Sequence, residues 1–250
     1  MHKFLKTIVL FSLILLISAC NASSSDAKKV EAKKVSPAET HTEKTAQVKQ
    51  ASAVNKLAEG EAASFVEGKH YVKINPEMNT DTAPGKVEVV ELMWLGCPHC
   101  YELEPIIKHY EKNHPDYVDF KQVPAMLNPR WAADAETFYI ADVLDPSGEK
   151  DLINKIFQGI HEQRRRLTKP EVAKRFFLDQ GYTEEQYNNA KNSLAIKTKL
   201  NRAREISMGS KADSVPSVIV NGKYRTSASM AGGEEKLMQV IDMLTTREHK

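Results

Sequence analysis

Two cysteines separated by two residues stand in the stretch Cys97-Pro98-His99-Cys100. Such a pair can close and reopen a disulfide when the second cysteine lies in the first turn of a helix. Cys97 is then the N-cap, and Pro98 takes the first helical position, where proline costs no hydrogen bond. Free backbone N–H groups and the helix dipole favour the Cys97 thiolate, and His99 can add a donor or a positive charge. The spacing therefore predicts a redox centre with Cys97 as its reactive sulfur.

Two other interpretations of the cysteine pair have less support. Zinc prefers four ligands, and the only further cysteine is Cys20, far away across a polar linker. His109 and His114 are five residues apart, which does not place them on one face of a helix. A purely structural disulfide across so short a loop would constrain little chain and stabilise little. No metal and no organic cofactor is expected.

An acidic residue interrupts the apolar stretch before the cysteines. Glu91 lies between Val89-Val90 and Leu92-Met93, and Glu88, three residues earlier, faces the other side of the predicted strand. If both faces are covered, at least one acid is partly buried, and a buried acid normally requires a partner. A carboxyl below the cysteines could relay the proton of a thiol. The alternative is that Glu91 faces solvent at a sheet edge.

Strand patterns occur on both sides of the motif and again near the C-terminus. Strands are predicted at residues 71–74, 86–95 and 117–123. Residues 98 to about 113 predict the helix that carries the cysteines. Near the C-terminus, residues 217–220 and 223–226 are separated only by Asn221-Gly222. That dipeptide is the strongest short signal for a β-hairpin, because both residues tolerate a positive φ.

Between these two parts, at residues 128–208, the period is helical. One apolar stripe comprises Leu152, Ile153, Ile156, Phe157 and Ile160. Residues 168–171 and 183–186 both fit a capping box, so each predicts the start of a helix. The predicted fold class is α/β: a small sheet with flanking helices, interrupted by an all-helical insert.

At this point the chain resembles a known family. The segment from Glu91 to Cys100 followed by Tyr101, the helical insert, and Val215-Pro216 ahead of the Asn-Gly hairpin are together similar to the DsbA family of thiol:disulfide oxidoreductases. The resemblance covers residues 65–248 approximately. It implies a thioredoxin-like fold with an inserted all-helical domain. The distant Val-Pro makes the resemblance considerably more specific than the cysteine motif alone.

The resemblance also implies roles for individual residues. Cys97 resembles the cysteine that forms mixed disulfides with substrate, and Cys100 the more buried, resolving cysteine. The family has an acid at the position of Glu91 and a lysine, matching Lys121 on the next strand, as that acid's partner. Burial of Glu91 is therefore favoured over exposure at a sheet edge.

Val215 and Pro216 resemble the dipeptide that packs beside the family's disulfide, with the proline in the cis form. A cis bond there could turn the backbone of residue 215 toward an extended substrate segment, which would pair with it edge to edge. From the sequence alone a trans Val-Pro bond at a strand start is favoured. Only the resemblance reverses that expectation.

The N-terminus is predicted to be an export signal. Residues 8–17 form an apolar core about as long as a signal-peptide core and short for a spanning helix. The core ends in Ile17-Ser18-Ala19-Cys20, which resembles the bacterial lipobox, where cleavage leaves a lipid on the cysteine. The residue after the cysteine is Asn21 and not Asp, which in the lipoprotein sorting of enteric bacteria is typical of an outer-membrane destination. The alternative is an ordinary signal peptide that happens to contain Cys20.

The domain boundaries follow from these patterns. Residues 1–19 are the predicted signal peptide, and residues 20–62 a lipidated flexible linker. A helix at residues 46–58, which could pair with a second copy, is the sharper alternative for part of the linker. Residues 63–127 and 209–250 form the predicted thioredoxin-like domain. Residues 128–208 form the inserted helical domain.

Composition and charge exclude several classes of protein. The chain has 250 residues, with 35 Lys and Arg against 33 Asp and Glu. That near-balance argues against a protein that coats nucleic acid, which needs a basic excess, and against an acidic disordered protein. Cleavage would remove Lys3 and Lys6 and no acid, so the basic and acidic residues of the mature chain would be equal in number.

The predicted function is that of an exported, membrane-tethered dithiol oxidase of the DsbA type. Its expected partners are folding exported proteins with free cysteines, a quinone-linked (DsbB-like) membrane reoxidant, and the lipid bilayer through an acylated Cys20. The expected location is the periplasm, at the inner leaflet of the outer membrane. One alternative is a disulfide isomerase or reductase that works from the reduced motif, with a reducing membrane partner and a dimerising linker. Another is a non-catalytic surface lipoprotein.

Overall fold

The computed structural model describes residues 65–250, which form a five-stranded sheet with helices on both faces. The order of the strands is β1-β5-β4-β2-β3, and β2 and β3 are parallel while all other neighbours are antiparallel. The strands are β1 (Val72–Lys73), β2 (Val87–Met93), β3 (Val118–Pro124), β4 (Ser217–Val220) and β5 (Tyr224–Thr226). The predicted signal peptide, the lipidation site at Cys20 and the helix at 46–58 lie outside the described residues.

The described residues contain eight helices. These are α1 (Pro98–Asn113), α2 (Pro129–Leu144), α3 (Leu152–His161), α4 (Pro170–Asp179), α5 (Glu184–Lys191), α6 (Leu194–Gly209), α7 (Ala228–Ala231) and α8 (Glu234–Glu248). None of the helices between residues 65 and 250 is both long and apolar enough to cross a membrane. The α/β prediction, with helices inserted between β3 and β4, is confirmed.

Local sequence signals account for several of these boundaries. Asn221 and Gly222 adopt φ values of 52° and 65° and form the predicted hairpin turn between β4 and β5. Thr183 caps α5 in a complete capping box with Gln186. The capping box predicted at residues 168–171 is wrong in detail: α4 begins at Pro170 after Lys169, with no side-chain cap. Proline at the first helical position defines that start instead.

Strand β2 is the centre of the fold, and all seven of its residues are buried. Its alternate side chains enter two cores, because successive residues of a strand face opposite sides. Val87 and Val89 pack with α1 and α8, whereas Val90 and Leu92 pack with the inserted helices. The strand therefore reads as continuously apolar except at Glu88 and Glu91, which enter opposite cores.

Candidate active site

The cysteine motif lies where β2 gives way to α1. Cys97 is the N-cap of α1, with φ −88° and ψ 118°, and Pro98 occupies the first turn as predicted. The backbone N–H of Cys97 donates to the Trp94 carbonyl at 2.9 Å, and its carbonyl accepts from the Tyr101 N–H at 3.1 Å. No side chain caps the helix. The Cys97 sulfur therefore lies at a helix N-terminus whose N–H groups are free to stabilise an anion.

Cys97 has the electrostatics of a stabilised thiolate. A hydrogen bond from the Cys100 side chain lowers the pKa of Cys97 to about 6, with further contributions from the backbone N–H groups of Cys100 and His99 and from the His99 charge. The residue is buried except for 7% of its surface. His99 itself is exposed, and its Nδ1 lies 3.1 Å from Glu102 Oε2. A thiol with so low a pKa is largely ionised at neutral pH, which makes it the attacking or attacked sulfur.

Cys100 lies deeper and has the opposite preference. It is 1% exposed, and burial raises its pKa far above the ordinary value, with additional contributions from the hydrogen bond to Cys97 and from the charge of Glu91. Neither cysteine forms a disulfide in this structure, so the pair is in its reduced form. The pair therefore holds one stabilised anion and one proton, with the anion on the outer sulfur.

The loop before β4 covers the reactive sulfur. The Val215–Pro216 peptide bond is cis, as the family resemblance implied and as sequence alone did not. The Cys97 sulfur lies 3.5 Å from the Val215 carbonyl oxygen. Both residues of the dipeptide remain partly exposed. The structure thus brings the dipeptide beside Cys97, with the peptide groups of this loop at the surface around the sulfur.

Glu91 lies in the core on the α1 side of the sheet, where it is 1% exposed. Burial raises its pKa to about 8, opposed by a hydrogen bond from Gln122 and assisted by the charges of Glu104 and Cys97. Gln122 Nε2 donates to Glu91 Oε2 at 2.9 Å. The predicted burial of Glu91 is confirmed. At neutral pH this carboxyl holds a proton close to the two cysteines.

A second buried carboxyl, which the sequence analysis missed, completes this cluster. Gln122 Nε2 also donates to Glu104 Oε2 at 2.8 Å, and Oε1 of both carboxyl groups is buried without a hydrogen-bond partner. Burial raises the pKa of Glu104 to about 7. The available signal was its place on the buried stripe of α1 with Cys100, Leu103 and Ile107. An acid inside such a stripe marks a buried titratable group.

The cluster reaches the surface through a cavity of about 500 Å³. Glu104 and Gln122 line it, together with residues of α2 and of the loop before α3. Protons can therefore pass between solvent and Glu104 without crossing the apolar core. Within residues 65–250, no group of three His, Cys, Asp or Glu side chains could hold a metal ion.

The predicted pairing of Lys121 with Glu91 is wrong. In the β2–β3 ladder Lys121 is opposite Val90, whereas Gln122 is opposite Glu91. Because successive strand residues face opposite sides, Lys121 lies in the other core. Its Nζ lies 3.0 Å from Glu88 Oε1 and 3.2 Å from Asp119 Oδ2. The residue that contacts Glu91 is therefore the neutral Gln122.

Taken together, these groups can exchange a disulfide with another thiol. The outer sulfur is a good leaving group, the inner sulfur holds a proton, and a protonated carboxyl lies beneath them. A peptide edge lies beside the outer sulfur.

Curated relatives of this chain carry the name thiol:disulfide interchange protein DsbA. The protein from Pseudomonas aeruginosa is 34% identical over 204 residues, which cover 82% of this chain and 94% of the relative. The protein from Azotobacter vinelandii is 34% identical over 181 residues, covering 72% and 83%. The protein from Burkholderia cepacia is 31% identical over 188 residues, covering 75% and 88%. No family model matches the chain.

Solved structures show the same likeness in three dimensions. The crystal structure of Pseudomonas aeruginosa DsbA superposes with a TM-score of 0.69 at 34% identity, covering 75% of this chain and 96% of that one. The DsbA oxidoreductase from Xylella fastidiosa gives a TM-score of 0.66 at 25% identity, covering 74% and 97%. Nearly the whole length of each of these structures thus has a counterpart in the part of this chain that is described.

Proposed function

This chain belongs to the DsbA family of thiol:disulfide oxidoreductases, and on that premise we propose that Cys97 is the sulfur through which it oxidises other proteins. The difference between the two cysteines is the observation that carries the proposal. The pKa of Cys97 is lowered to about 6, whereas that of Cys100 is raised by burial. Stabilising the reduced outer sulfur makes the disulfide a stronger oxidant.

The exchange begins with the Cys97–Cys100 disulfide. A substrate thiolate attacks the Cys97 sulfur, the bond to Cys100 breaks, and Cys100 leaves with the electron pair. The second substrate thiolate then attacks the substrate sulfur of this mixed disulfide, and Cys97 leaves as a thiolate. The substrate loses two electrons and gains a disulfide, and the motif becomes a dithiol. The low pKa of Cys97 favours the second step because its thiolate is the leaving group.

Glu91 supplies the proton that the first step requires. Cys100 leaves as a buried thiolate, which burial destabilises strongly. The Glu91 carboxyl, whose pKa is about 8, is protonated at neutral pH and can give its proton to that sulfur. Gln122 holds Glu91 and Glu104 side by side, so Glu104 can restore the proton through the cavity that it lines. In reoxidation the proton leaves by the same route.

Val215 and Pro216 form the edge on which substrate rests. The Val215 carbonyl oxygen lies 3.5 Å from the Cys97 sulfur, so its peptide group lies beside the position of a mixed disulfide. An extended substrate segment can hydrogen-bond to this backbone as an added strand. Recognition through the main chain suits an enzyme that must accept many sequences.

Two further parts of the proposal concern the cell. Reoxidation requires an acceptor of two electrons, for which we propose a quinone-linked membrane protein. The lipobox-like sequence ending at Cys20 supports a lipid anchor, and Asn21 supports the periplasmic face of the outer membrane as the destination. The linker at residues 20–62 would then confine the enzyme to a layer next to that membrane. Substitution of Cys20 by Ala should release the protein from membrane fractions and abolish labelling with a palmitate analogue.

The redox state of the cysteines in growing cells tests the direction of the reaction. Cells would be quenched with acid and free thiols tagged with a maleimide that shifts gel mobility. A mostly disulfide-bonded population is expected for an oxidase. A mostly dithiol population would overturn this direction and favour the isomerase or reductase.

Trapping experiments test the roles of the two sulfurs. In a Cys100→Ala variant, the Cys97 thiolate can attack a disulfide of an exported protein, which forms a mixed disulfide and releases one substrate thiolate. These mixed disulfides should accumulate, because Cys100 is no longer present to attack the Cys97 sulfur and release the substrate. The matched Cys97→Ala variant should trap none, since its sulfur is buried. Equal trapping by both variants would contradict the assignment of Cys97 as the attacked sulfur.

A further inference from the structure

The inserted helices hold the segment that leads into the active site. This segment, residues 94–96, connects β2 to Cys97 and is called the active-site loop below. The side chain of Trp94 leaves the sheet and stacks on Trp131 of α2, with ring centroids 4.6 Å apart and planes 14° from parallel. Its indole Nε1 donates to Asp134 Oδ2 at 2.6 Å. Asp134 is 2% exposed, so this hydrogen bond is made within the core of the insert.

A second hydrogen bond reaches the same loop from another inserted helix. A ring nitrogen of His161, the last residue of α3, lies 2.8 Å from the Leu95 carbonyl and donates to it. The His161 ring is also stacked on Tyr101 of α1, at 5.0 Å and 4° from parallel. His161 therefore ties the loop to α3 and lies against the first turns of the active-site helix. No pattern in the sequence indicates this role.

These two contacts hold Trp94 and Leu95, the two residues directly before Gly96. Gly96 has no side chain, and a Cβ atom at this position would overlap the Trp94 ring. The close approach requires glycine, which by itself leaves the backbone free. The Trp94 carbonyl also accepts from the Cys97 N–H, so the position of Trp94 is passed directly to the reactive cysteine.

We propose that Asp134 and His161 are positioning residues, which set the thiolate stability of Cys97 from the helical insert. The inference rests on the proposed role of Cys97 as the attacked sulfur. The hydrogen bonds that stabilise its thiolate weaken steeply with distance and angle. A loop released from the insert lets the sulfur move away from the N–H groups of α1. The oxidising strength of the motif is thus determined partly by the hydrogen bonds between the insert and the active-site loop.

The Trp94–Asp134 bond can be tested from both ends. Trp94→Phe keeps an aromatic ring but removes the donor, and Asp134→Ala removes the acceptor. Each should raise the apparent pKa of Cys97, measured by ultraviolet thiolate absorbance, and shift the equilibrium with glutathione toward the protein disulfide by about three- to tenfold. The double variant should shift no further than either single variant, because both remove one bond. Asp134→Asn keeps an acceptor and should remain near the wild type.

His161 allows the same comparison for the hydrogen bond to the Leu95 carbonyl. His161→Gln retains a side-chain N–H for the Leu95 carbonyl and should preserve most of the wild-type equilibrium. His161→Leu has comparable bulk without a donor and should shift it in the same direction as the Trp94 variant. Equal equilibria in the two variants would overturn the role of His161.

A matched control separates positioning from ordinary loss of stability. Tyr182→Phe deletes a hydrogen bond of 2.9 Å to the Leu144 carbonyl inside the insert, with no contact to the active-site loop. It should lower the urea midpoint without changing the Cys97 pKa or the glutathione equilibrium. If the Trp94 and Asp134 variants behave like this control, the two residues are merely structural and the inference is wrong. Failure of the proposed function is distinguishable, because the wild type itself would then exchange no disulfide.

Discussion

Two buried glutamates lie three residues apart on β2 and differ in what they face. Glu88 enters the core of the inserted helices, where Lys121 Nζ lies 3.0 Å and an Arg202 nitrogen 3.7 Å from its carboxylate. Glu91 enters the core beneath α1, where its partner is the neutral amide of Gln122. The two side chains are almost equally buried, at 3% and 1% exposure.

The difference shows that the partner, rather than burial, decides what a buried acid does. Two cations compensate the charge of Glu88 and link β2 to β3 and α6, which is a structural task. Glu91 receives no cation, so burial raises its pKa to about 8 and leaves a mobile proton near the cysteines. One strand thus carries a structural ion cluster on one face and, on the other, the proton donor of the proposed mechanism.

Removing the compensated acid should have the largest effect, and on stability alone. Glu88→Ala removes the buried carboxylate that Lys121 and Arg202 share. We expect a loss of about 3 kcal/mol in the free energy of unfolding, measured by urea denaturation. The rate of disulfide exchange with a model peptide should stay at the wild-type value. A slower disulfide exchange in folded Glu88→Ala would contradict the claim that Glu88 acts only in stability and Glu91 in proton transfer.

Giving Glu91 a cationic partner should make it behave as Glu88 does on the opposite face of β2. Gln122→Lys places an ammonium group opposite Glu91 in the β2–β3 ladder. The pKa of Glu91 should fall by about two units, because a nearby positive charge favours the carboxylate. Carbon NMR of the labelled side-chain carboxyl measures it directly. An unchanged titration of Glu91 would mean that solvent, rather than the partner, controls this carboxyl.

Removing the proton of Glu91 should slow catalysis without unfolding the protein. Glu91→Gln preserves the shape but can neither give nor take a proton, so the departure of Cys100 loses its acid. We expect disulfide exchange at neutral pH to slow by about ten- to thirtyfold in stopped-flow fluorescence, below the usual full effect because Glu104 remains nearby. The matched Glu88→Gln variant controls for the loss of a buried carboxylate. Comparable rates in the two variants would contradict the proton role of Glu91.

The same substitution should alter the pH dependence of stability. The folded pKa of Glu91, about 8, exceeds its ordinary value of 4.5, so the unfolded chain loses this proton first. Stability from this group is therefore complete below pH 4.5 and declines as pH rises toward about 8. The slope approaches at most about 1.4 kcal/mol per pH unit for one proton. The difference between wild type and Glu91→Gln in urea midpoints should show this decline.

If the difference in urea midpoint between wild type and Glu91→Gln does not change over this pH range, the pKa of Glu91 is at its ordinary value in the folded protein. The proton on the α1 face would then belong to Glu104 alone, whose pKa is raised to about 7. Repeating the series in Glu104→Gln distinguishes these outcomes. Loss of the remaining slope in that variant alone would move the proton role from one carboxyl to the other.

Much of the fold was predictable because its signals are local. The boundaries of α1 follow from proline at its start, and the Asn-Gly hairpin needs only two residues. Burial of Glu91 followed from its place within an apolar run. The partner of Glu91 did not follow, because it depends on how β3 aligns with β2. A shift of one residue exchanges every side chain between the two faces, and nothing within either strand fixes that alignment.

The remaining features of the site depend on contacts distant in sequence. Asp134 and Glu104 sit on helices whose patterns predict which face is buried, yet no pattern tells what meets that face. The cis form of Val215–Pro216 was reached only through the resemblance to a family, since sequence alone favours trans. The redox chemistry could therefore be predicted, because it resides in the short motif Cys97–Cys100. The groups around the motif, such as Glu104 and Asp134, could not be predicted.

The smallest expected effect comes from Lys121 and decides between the two alignments. Its side chain is 31% exposed and shares Glu88 with Arg202, so Lys121→Ala should cost only about 1 kcal/mol of unfolding free energy. Because Lys121 faces away from Glu91, neither the titration of Glu91 nor the exchange rate should change. Lys121→Met, which retains the apolar stem, should recover part of the stability. A raised Glu91 pKa in Lys121→Ala would instead mean that this lysine reaches the α1 face, and the contrast between the two glutamates would fail.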